Sequence, residues 1–218
     1  DDVSLITRNL YSQGTAEPRF FDLADVQVLR GPQGTLYGAS ALGGTIKFTS
    51  NQPDAHQRSG SVSTEISSTE HGGMNWQAQG VLNLPLVQDK VALRLGLQHG
   101  AESGYIDQVD PQTLKPRAQG INSSHWDVAK LALKAELPGG WAVTPALFAQ
   151  RVVSDDIDAS YATVGGYQAT PLAGQPLPLF ETTKILREPG TDKLLVPSLT
   201  INGDVGFADF TGVLSGYE

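Results

Sequence analysis

Apolar and polar residues alternate with a period of two through most of the chain after residue 60. Leu93, Leu95 and Leu97, for example, are separated by Arg94 and Gly96. This alternation is typical of strands with one apolar and one polar face, either in an antiparallel sheet with one wet face or in a membrane barrel. Together with a segment that is apolar on both faces and ambiguous, at residues 141–152, it predicts seven strands, at residues 60–67, 74–84, 90–100, 125–137, 141–153, 193–202 and 207–217.

The connections between these strands differ in length at the two ends of the predicted sheet. One end has short turns, at residues 85–89, 138–140 and 203–206, and the other has long polar connections, at 101–124 and 154–192, with 68–73 intermediate. Short periplasmic turns and long external loops are typical of an outer-membrane barrel. No apolar run approaches the roughly 18 residues that a membrane helix needs.

The composition excludes several classes of function. The formal net charge of −8 over 218 residues argues against a nucleic-acid partner, which would need a basic face. The absence of cysteine excludes disulfides, thiolate metal sites and a cysteine nucleophile. No phosphate-binding loop, nucleophile elbow or zinc-protease motif occurs. We therefore predict that the protein is not an enzyme and has no cofactor.

Two groups of residues could still bind a metal ion. Three neighbouring acids could hold a hard cation, although a solvated loop is the preferred interpretation: Asp155, Asp156 and Asp158. Three histidines fall at the long-loop end of their predicted strands, where a rim of surface histidines is preferred over a metal or haem site: His71, His99 and His125.

The most specific pattern precedes the alternating region. Residues 21–46 read FDLADVQVLRGPQGTLYGASALGGTI, which closely resembles the plug-domain signature of TonB-dependent outer-membrane receptors. The resemblance implies an all-β membrane barrel, here partial and open with about seven antiparallel strands, preceded by a partial α+β plug domain. Residues 1–53 would be the C-terminal half of the plug, 54–59 a linker and 60–218 the first barrel strands.

The resemblance also assigns roles within the motif. The plug core and the contact between plug and barrel would involve Gln27, Arg30, Gly31, Pro32, Gly34, Tyr37, Gly38, Gly43 and Gly44. The Arg30 guanidinium is suited to bidentate pairing with a carboxylate of the barrel. The family usually has Glu where this chain has Gln27, and an amide can only form hydrogen bonds there.

The function implied by the resemblance is active uptake of a scarce solute, for which a ferric siderophore is the leading class. The partners would be TonB with its inner-membrane energy-coupling complex, the outer-membrane lipid and the small solute. The loop at residues 8–18 resembles in position an apical plug loop that faces the external vestibule. Its substrate-facing residues would be Arg8, Asn9, Tyr11 and Gln13.

We expect the chain to be a fragment. The signal peptide, the segment that binds TonB, the first half of the plug and most of the barrel would lie outside it, and residues 216–218 fall within a strand pattern. Expressed alone, such a fragment should aggregate or stay disordered, because an open sheet leaves two unpaired edges.

Local patterns predict further elements and their orientation. A strand is expected at residues 3–6, a helical turn opened by Pro18, and short strands at 26–30 and 46–49. The strand at 60–67 should rise from the periplasmic side. Four leucines should face lipid and three cations the lumen: Leu93, Leu95, Leu131 and Leu133, against Arg94, Lys130 and Lys134. Trp126 has lumen-side parity, which leaves Trp76 as the aromatic residue assigned to the membrane interface.

Two other classes of function compete with this interpretation. A soluble or surface all-β ligand-binding module, similar to a carbohydrate-binding domain, would fold in buffer and have no lipid-facing belt. An outer-membrane barrel hydrolase would need a Ser/His/Asp set or paired carboxylates inside the wall, and the sequence offers no such set.

Overall fold

A meander of long antiparallel strands forms most of the structure. This computed structural model describes residue 3 and residues 17–37, 43–164 and 172–216, and within them the chain forms twelve strands and one short helix. Two strands and the helix precede the meander: β1 (Leu23–Arg30), α1 (Gly34–Tyr37) and β2 (Gly44–Ser50). The remaining strands are β3 (Ser59–Ser68), β4 (Met74–Val87), β5 (Val91–Glu102), β6 (Asp107–Val109), β7 (Pro116–Ala118), β8 (Ser124–Leu137), β9 (Trp141–Ser154), β10 (Glu181–Thr182), β11 (Gly190–Asp204) and β12 (Asp209–Ser215).

Seven of these strands form one open antiparallel sheet, which we call the wall. Its order is β3-β4-β5-β8-β9-β11-β12, so each long strand pairs with the long strands before and after it in sequence. The predicted seven-stranded, open, antiparallel sheet is confirmed. β11 is longer than predicted, because Gly190 to Asp192 continue the ladder opposite Val152 to Ser154 although they carry no alternating pattern.

The long connections contain a second, small sheet that the sequence did not predict. β6 pairs with β7 and with β10, which comes from the connection between β9 and β11. These strands have two or three residues each, too few for a period of two to be detectable. The two long connections therefore fold onto each other at one end of the wall.

The segment ahead of the wall is less helical than predicted. The helical turn expected at Pro18 is wrong, because residues 17–21 have no regular structure and the Arg19 amide donates to the side chain of Gln150 in the wall. β1 and β2 form an antiparallel hairpin, in which Val28 pairs with Ile46. The strand expected at 3–6 lies almost wholly outside the described residues.

The only described helix, α1, has four residues. No helix in the described ranges is long and apolar enough to span a membrane.

The strand register divides the wall into two faces. The inner face carries Arg94, Lys130 and Lys134. Residues 17–37 and 43–53, which we call the N-terminal segment, contact it through Asp22 and the main chain at residues 21 and 22. The four leucines predicted to face lipid lie on the opposite, outer face. Phe21, Trp126 and Val128 form a buried cluster between the N-terminal segment and the inner face.

The outer face is apolar and open to its surroundings. Exposed fractions reach 84% for Val62 and 72% for Leu214 at the two edge strands, and they remain 43% for Leu131 in the middle of the wall. A soluble sandwich would bury such a face against a second sheet. Trp141 also lies on this face, in addition to Trp76, and its indole packs over Gly203.

The two ends of the wall can be assigned to the two sides of the membrane by labelling. Gln112 lies in a long connection and Gln88 in a short turn, and both are exposed. We expect Gln112→Cys in the full-length protein to react with an impermeant maleimide on intact cells and Gln88→Cys to react only after the outer membrane is permeabilised. Labelling of residue 88 on intact cells would invert the orientation.

Candidate functional site

A buried ion pair fixes the start of β1 to the wall. Arg94, on the inner face of β5, donates through Nε to Asp22 Oδ2 at 2.7 Å and through Nη2 to Asp22 Oδ1 at 2.5 Å. The side chains are only 17% and 7% exposed. Burial alone would raise the pKa of the Asp22 carboxyl, but hydrogen bonds from Arg94 and Asn51 outweigh it and hold this pKa below its usual value.

Lys130 binds the same part of the N-terminal segment through its backbone. Its ammonium donates to the carbonyl oxygens of Phe21 at 2.9 Å and Asp22 at 3.3 Å, and to Ser50 Oγ at 3.0 Å. Asn51 Nδ2 donates to Asp22 Oδ1 at 2.8 Å, which links the end of β2 to the start of β1. Arg94 and Lys130 thus bind the start of β1 and the end of β2, which lie side by side.

Two glycines of β5 make room for aromatic rings at this contact. A Cβ atom on Gly96 would lie 2.8 Å from the ring of Phe21, and one on Gly100 would lie 2.3 Å from the indole of Trp126. Both glycines are on the inner face, as Arg94 is. Rings can therefore lie flat against the backbone of β5 only because these positions have no side chain.

Residues 17–19, which precede the Asp22–Arg94 contact in sequence, lie along the inner face of the wall. The Gln150 side chain accepts from the Arg19 amide at 2.6 Å and donates to the Glu17 carbonyl at 3.1 Å. The Arg19 guanidinium lies 3.7 Å from the centroid of the Trp126 ring, a cation–π contact. Further along the chain, buried Asn83 binds the backbone of Asp54 and Gln57, the predicted linker.

A cleft of about 350 Å³ opens between residues 19–21 and the wall. Its lining is largely carboxamide and aromatic: Arg19, Phe20, Phe21, Gln77, Gln79, Gln98 and Trp126. Two buried polar atoms here, Gln98 Oε1 and Trp126 Nε1, have no hydrogen-bond partner within the part of the chain that the structure describes. The cleft thus presents hydrogen-bonding groups beside apolar surface, as sites for small polar solutes do.

The residues predicted from the plug motif lie in and around the β1–β2 hairpin. Gln27 Nε2 donates to Asp25 Oδ2 at 2.7 Å, within the hairpin rather than to the wall. The Arg30 side chain is exposed and, among the described residues, makes no ion pair. The role of Arg30 as a contact with the barrel therefore stays a prediction.

The motif glycines serve the turns of the hairpin. Gly31 has φ 86° and Gly44 has φ 143°, and a Cβ atom on Gly44 would lie 2.5 Å from the Leu29 carbonyl oxygen. Pro32 and Gly43 flank α1, which begins at Gly34 and ends at Tyr37. Five predicted site residues fall outside the described residues: Arg8, Asn9, Tyr11, Gln13 and Gly38.

Asp22 is the site residue that the sequence analysis missed. Parity had placed Arg94 and Lys130 on the lumen side, but no partner was assigned to them. The sequence did offer a signal. Asp22 comes immediately before the first strand of the motif, and the cations predicted on the lumen side of the wall needed an acidic partner. A buried cation is costly unless an acid pairs with it, so Asp22 was a suitable partner for Arg94.

The histidines and acids do not form a metal site in the described ranges, where no group of three potential ligands comes together. His99 Nδ1 lies 2.7 Å from Asp127 Oδ1 on the outer face, and His71 packs against Phe180 in the loops. The prediction of a solvated acidic loop is wrong for Asp156. Its carboxyl is buried and paired with Lys184 at 2.5 Å, because the long connection between β9 and β11 folds back on itself.

The Asp156–Lys184 pair should make the folded loops sensitive to acid. Burial alone would raise the pKa of Asp156, but bonds from Lys184 and from the Ile157 and Glu188 amides outweigh it, so this pKa lies below its usual value. Its stabilising contribution is complete above that value and is lost as the pH falls through the lower folded pKa.

We expect pepsin to cut the loops of the full-length protein only at the acid end of its working range. Asp156→Asn should be cut throughout that range, because the pair is then absent at every pH. Equal cutting of both proteins at all pH values would show that the pair does not hold the loops.

The comparisons with known proteins agree with this architecture. No family model matches the chain. The chain is 35% identical over 103 residues to the pesticin receptor of Yersinia enterocolitica serotype O:8, and equally to that of Yersinia pestis. These matches cover 47% of this chain and 14% of each relative, so the chain spans a small part of their length.

A solved structure shows the same fold. The crystal structure of the ferric yersiniabactin uptake receptor FyuA from Yersinia pestis matches with a TM-score of 0.60 over 90% of this chain and 28% of its own. The two sequences are 19% identical in this comparison, so the likeness concerns the fold.

Proposed function

We propose that this chain, which belongs to the family of TonB-dependent outer-membrane receptors, is the part of an uptake receptor in which the plug is attached to the first strands of the barrel. The whole receptor would take up a scarce solute actively, with a ferric siderophore as the leading class. In this proposal residues 1–53 belong to the plug, 54–59 are the linker and 60–218 begin the barrel.

The observation that carries the proposal is the contact between the N-terminal segment and the inner face. Asp22 pairs with Arg94, and Lys130 holds the backbone at residues 21 and 22. A segment held against the inner face of the wall by such bonds is what we expect of a plug, and this supports the proposal. Ionic and hydrogen-bonded contacts can be exchanged for contacts with water, whereas separation of a large apolar interface would be more costly.

The mechanism follows from that arrangement. TonB, energised by the inner-membrane complex, would pull on the plug from the periplasmic side and open a path along the wall. No covalent bond is made or broken, so we propose a receptor and transporter rather than an enzyme. The matched relatives are named as receptors, which supports this class.

The solute would meet the external side of the plug. Arg8, Asn9, Tyr11 and Gln13 are proposed as contacts from the plug, and the cleft lined by Gln77, Gln98 and Trp126 lies on the wall beside residues 19–21. The name of the similar FyuA structure, a ferric yersiniabactin uptake receptor, supports a ferric siderophore as the class of solute.

Growth and uptake assays test the proposal. A strain lacking the full-length receptor should fail to grow on one solute in a panel of iron sources, cobalamin and oligosaccharides, with a ferric siderophore as the expected solute, and the gene should restore growth only when TonB is present. Arg8→Ala and Tyr11→Ala should weaken solute binding while the barrel still assembles. Growth that does not depend on TonB would contradict the function, and unchanged affinity in both variants would remove the loop at 8–18 from the site.

A further inference from the structure

One side chain of the wall holds the main chain of the proposed linker. Asn83 of β4 is fully buried, and its Oδ1 accepts from the Asp54 amide at 2.9 Å. Its Nδ2 donates to the carbonyl oxygens of Asp54 and Gln57, each at 2.8 Å. Both hydrogens of the carboxamide are thereby used. Asn83 thus pairs with residue 54 as a neighbouring strand would, although residues 54–58 have no regular secondary structure.

The short turn between β4 and β5 binds the same stretch. The Asp89 amide donates to the Ala55 carbonyl oxygen at 3.1 Å, and Gln88 Nε2 donates to the His56 carbonyl oxygen at 3.2 Å. Asp89 has φ 59°, in the left-handed region that aspartate tolerates better than most residues. Within the stretch, the His56 amide donates to Asp54 Oδ1 at 2.8 Å and closes a local turn. We call this arrangement the linker clasp, formed by residues 54–57, Asn83, Gln88 and Asp89.

The linker clasp lies in series between the N-terminal segment and the barrel strands. β3 begins at Ser59, which is paired with Asn83 itself. A load carried along the chain from the N-terminal segment reaches residue 54 before it reaches Ser59. The clasp therefore takes the load first, and the ladder between β3 and β4 is not strained until the clasp opens.

The clasp stands beside the anchor of the N-terminal segment but is separate from it. Asn83 and Arg94 are direct cross-strand partners on the inner face, and Arg94 binds Asp22. Arg94 thus holds residue 22 by an ion pair, whereas Asn83 holds residue 54 by bonds between neutral groups. Loss of the Asp22–Arg94 pair leaves every bond of Asn83 in place, so the N-terminal segment can leave the wall while the linker stays.

We propose that Asn83 is a positioning residue that makes residue 54 the fixed end of the plug during transport. The pull exerted through TonB moves the chain no further than residue 53, and β3 keeps its place in the wall. The three bonds converge on one buried side chain, so they share the load, and a buried amide left without partners carries the full cost of desolvation. The inference rests on the proposed function for the source of the pull.

Single-molecule force spectroscopy of the full-length receptor in a lipid membrane tests the proposal. Residues 1–218 contain no cysteine, so Glu17→Cys at an exposed position provides a handle for a pull from the periplasmic side. We expect a final force peak after about 130 Å of extension, the length of residues 17–53 at about 3.5 Å per residue. In Asn83→Ala the force of this peak should fall to about half of the parent's value, because three hydrogen bonds of the clasp are absent.

The matched control is Asn75→Ala, in the same strand at the opposite end of the wall. The Asn75 carboxamide accepts from the Ser103 amide and donates to Thr69 Oγ1, both at 2.8 Å. This variant should leave the final peak unchanged. Arg94→Ala should lower an earlier peak and also leave the final one unchanged, which separates the clasp from the anchor. The shift in gel mobility on heating reports that each variant has assembled.

Hydrogen exchange of the full-length receptor at equilibrium provides a second measurement. In Asn83→Ala the Asp54 amide should exchange at least about tenfold faster than in the parent, while the amides of β1 and β2 keep their rates. Arg94→Ala should have the opposite pattern. If Asn83→Ala does not assemble, Gln88→Ala takes its place, since it removes one bond at the exposed turn and should lower the final peak by a smaller amount.

Three results would overturn the proposal. They are a final peak of equal force in the parent and in the assembled clasp variant, extension of the parent beyond residue 57 without a peak, and exchange at Asp54 that follows Arg94→Ala. Neither measurement needs TonB or a solute. Uptake that does not depend on TonB would therefore contradict the transport function while leaving the mechanical result for Asn83 unaffected.

Discussion

Arg94→Ala should release the N-terminal segment from the wall of the full-length receptor. The substitution leaves the Asp22 carboxylate, only 7% exposed, beside a space where its bidentate partner had been. Removal of one partner of a buried ion pair costs about 3–5 kcal/mol, because the remaining charge is neither solvated nor paired. Hydrogen exchange of the β1 and β2 amides should become faster by a factor that corresponds to this loss of docking free energy.

The matched control is an arginine–aspartate pair of the same chemistry at the surface. Arg117 Nη2 lies 2.5 Å from Asp110 Oδ2, and the two side chains are 44% and 22% exposed. Arg117→Ala should cost at most about 1 kcal/mol, since water replaces the lost partner, and should leave exchange in β1 and β2 unchanged. If Arg94→Ala also left that exchange unchanged, Asp22 and Arg94 would not hold the N-terminal segment.

Gly100→Ala should lower the free energy of unfolding of the wall by about 1–3 kcal/mol, the usual cost of overpacking. The new methyl group would lie 2.3 Å from an atom of the Trp126 ring, so the indole and the Arg19 guanidinium stacked on it would have to move. Denaturant unfolding in detergent, followed by tryptophan fluorescence, measures both the loss of stability and the altered environment of Trp126.

Gly80→Ala is the control for that measurement. Gly80 lies in β4 on the outer face, and the nearest atoms to its added Cβ would be 4.0 Å away, an ordinary contact distance. This variant should unfold as the parent does, or with slightly greater stability, because alanine restricts the unfolded chain. An equal loss in both variants would mean that any side chain in the glycine positions of the wall is harmful, whatever the position of Trp126.

The wall was predictable from the sequence because the two faces of a barrel strand meet different surroundings, so that apolar and polar residues alternate along it. Leu93, Leu95 and Arg94 identify the two faces of β5 without any knowledge of its neighbours. Turn lengths then order the strands, since a three-residue turn such as 138–140 can only join adjacent antiparallel strands. Alternation identified six strands of the wall, whereas β9 is apolar on both faces and was placed by the turn at 138–140 that precedes it.

The contacts between segments were not predictable in the same way. The pairing of Asp22 with Arg94 joins residues 72 positions apart, and that of Asp156 with Lys184 depends on how the long connection between β9 and β11 folds back on itself. Neither leaves a periodic trace in the sequence. The motif, by contrast, pointed to Arg30 as the contact with the wall. Arg30 is exposed, and the residue that binds Arg94 of the wall is Asp22, eight positions earlier.

Lys130 binds the N-terminal segment mainly through its main chain. Its ammonium donates to the carbonyl oxygens of Phe21 and Asp22, which every amino acid possesses, and also lies 5.5 Å from the centroid of the Phe21 ring. The main-chain half of the anchor therefore requires only that the path of the chain at residues 21 and 22 is preserved, whereas the bond to Ser50 Oγ and the contact with the Phe21 ring depend on those side chains. A hybrid receptor, in which this wall encloses a plug taken from a distant homologue, would keep that half of the attachment intact wherever the foreign chain turns at the same place.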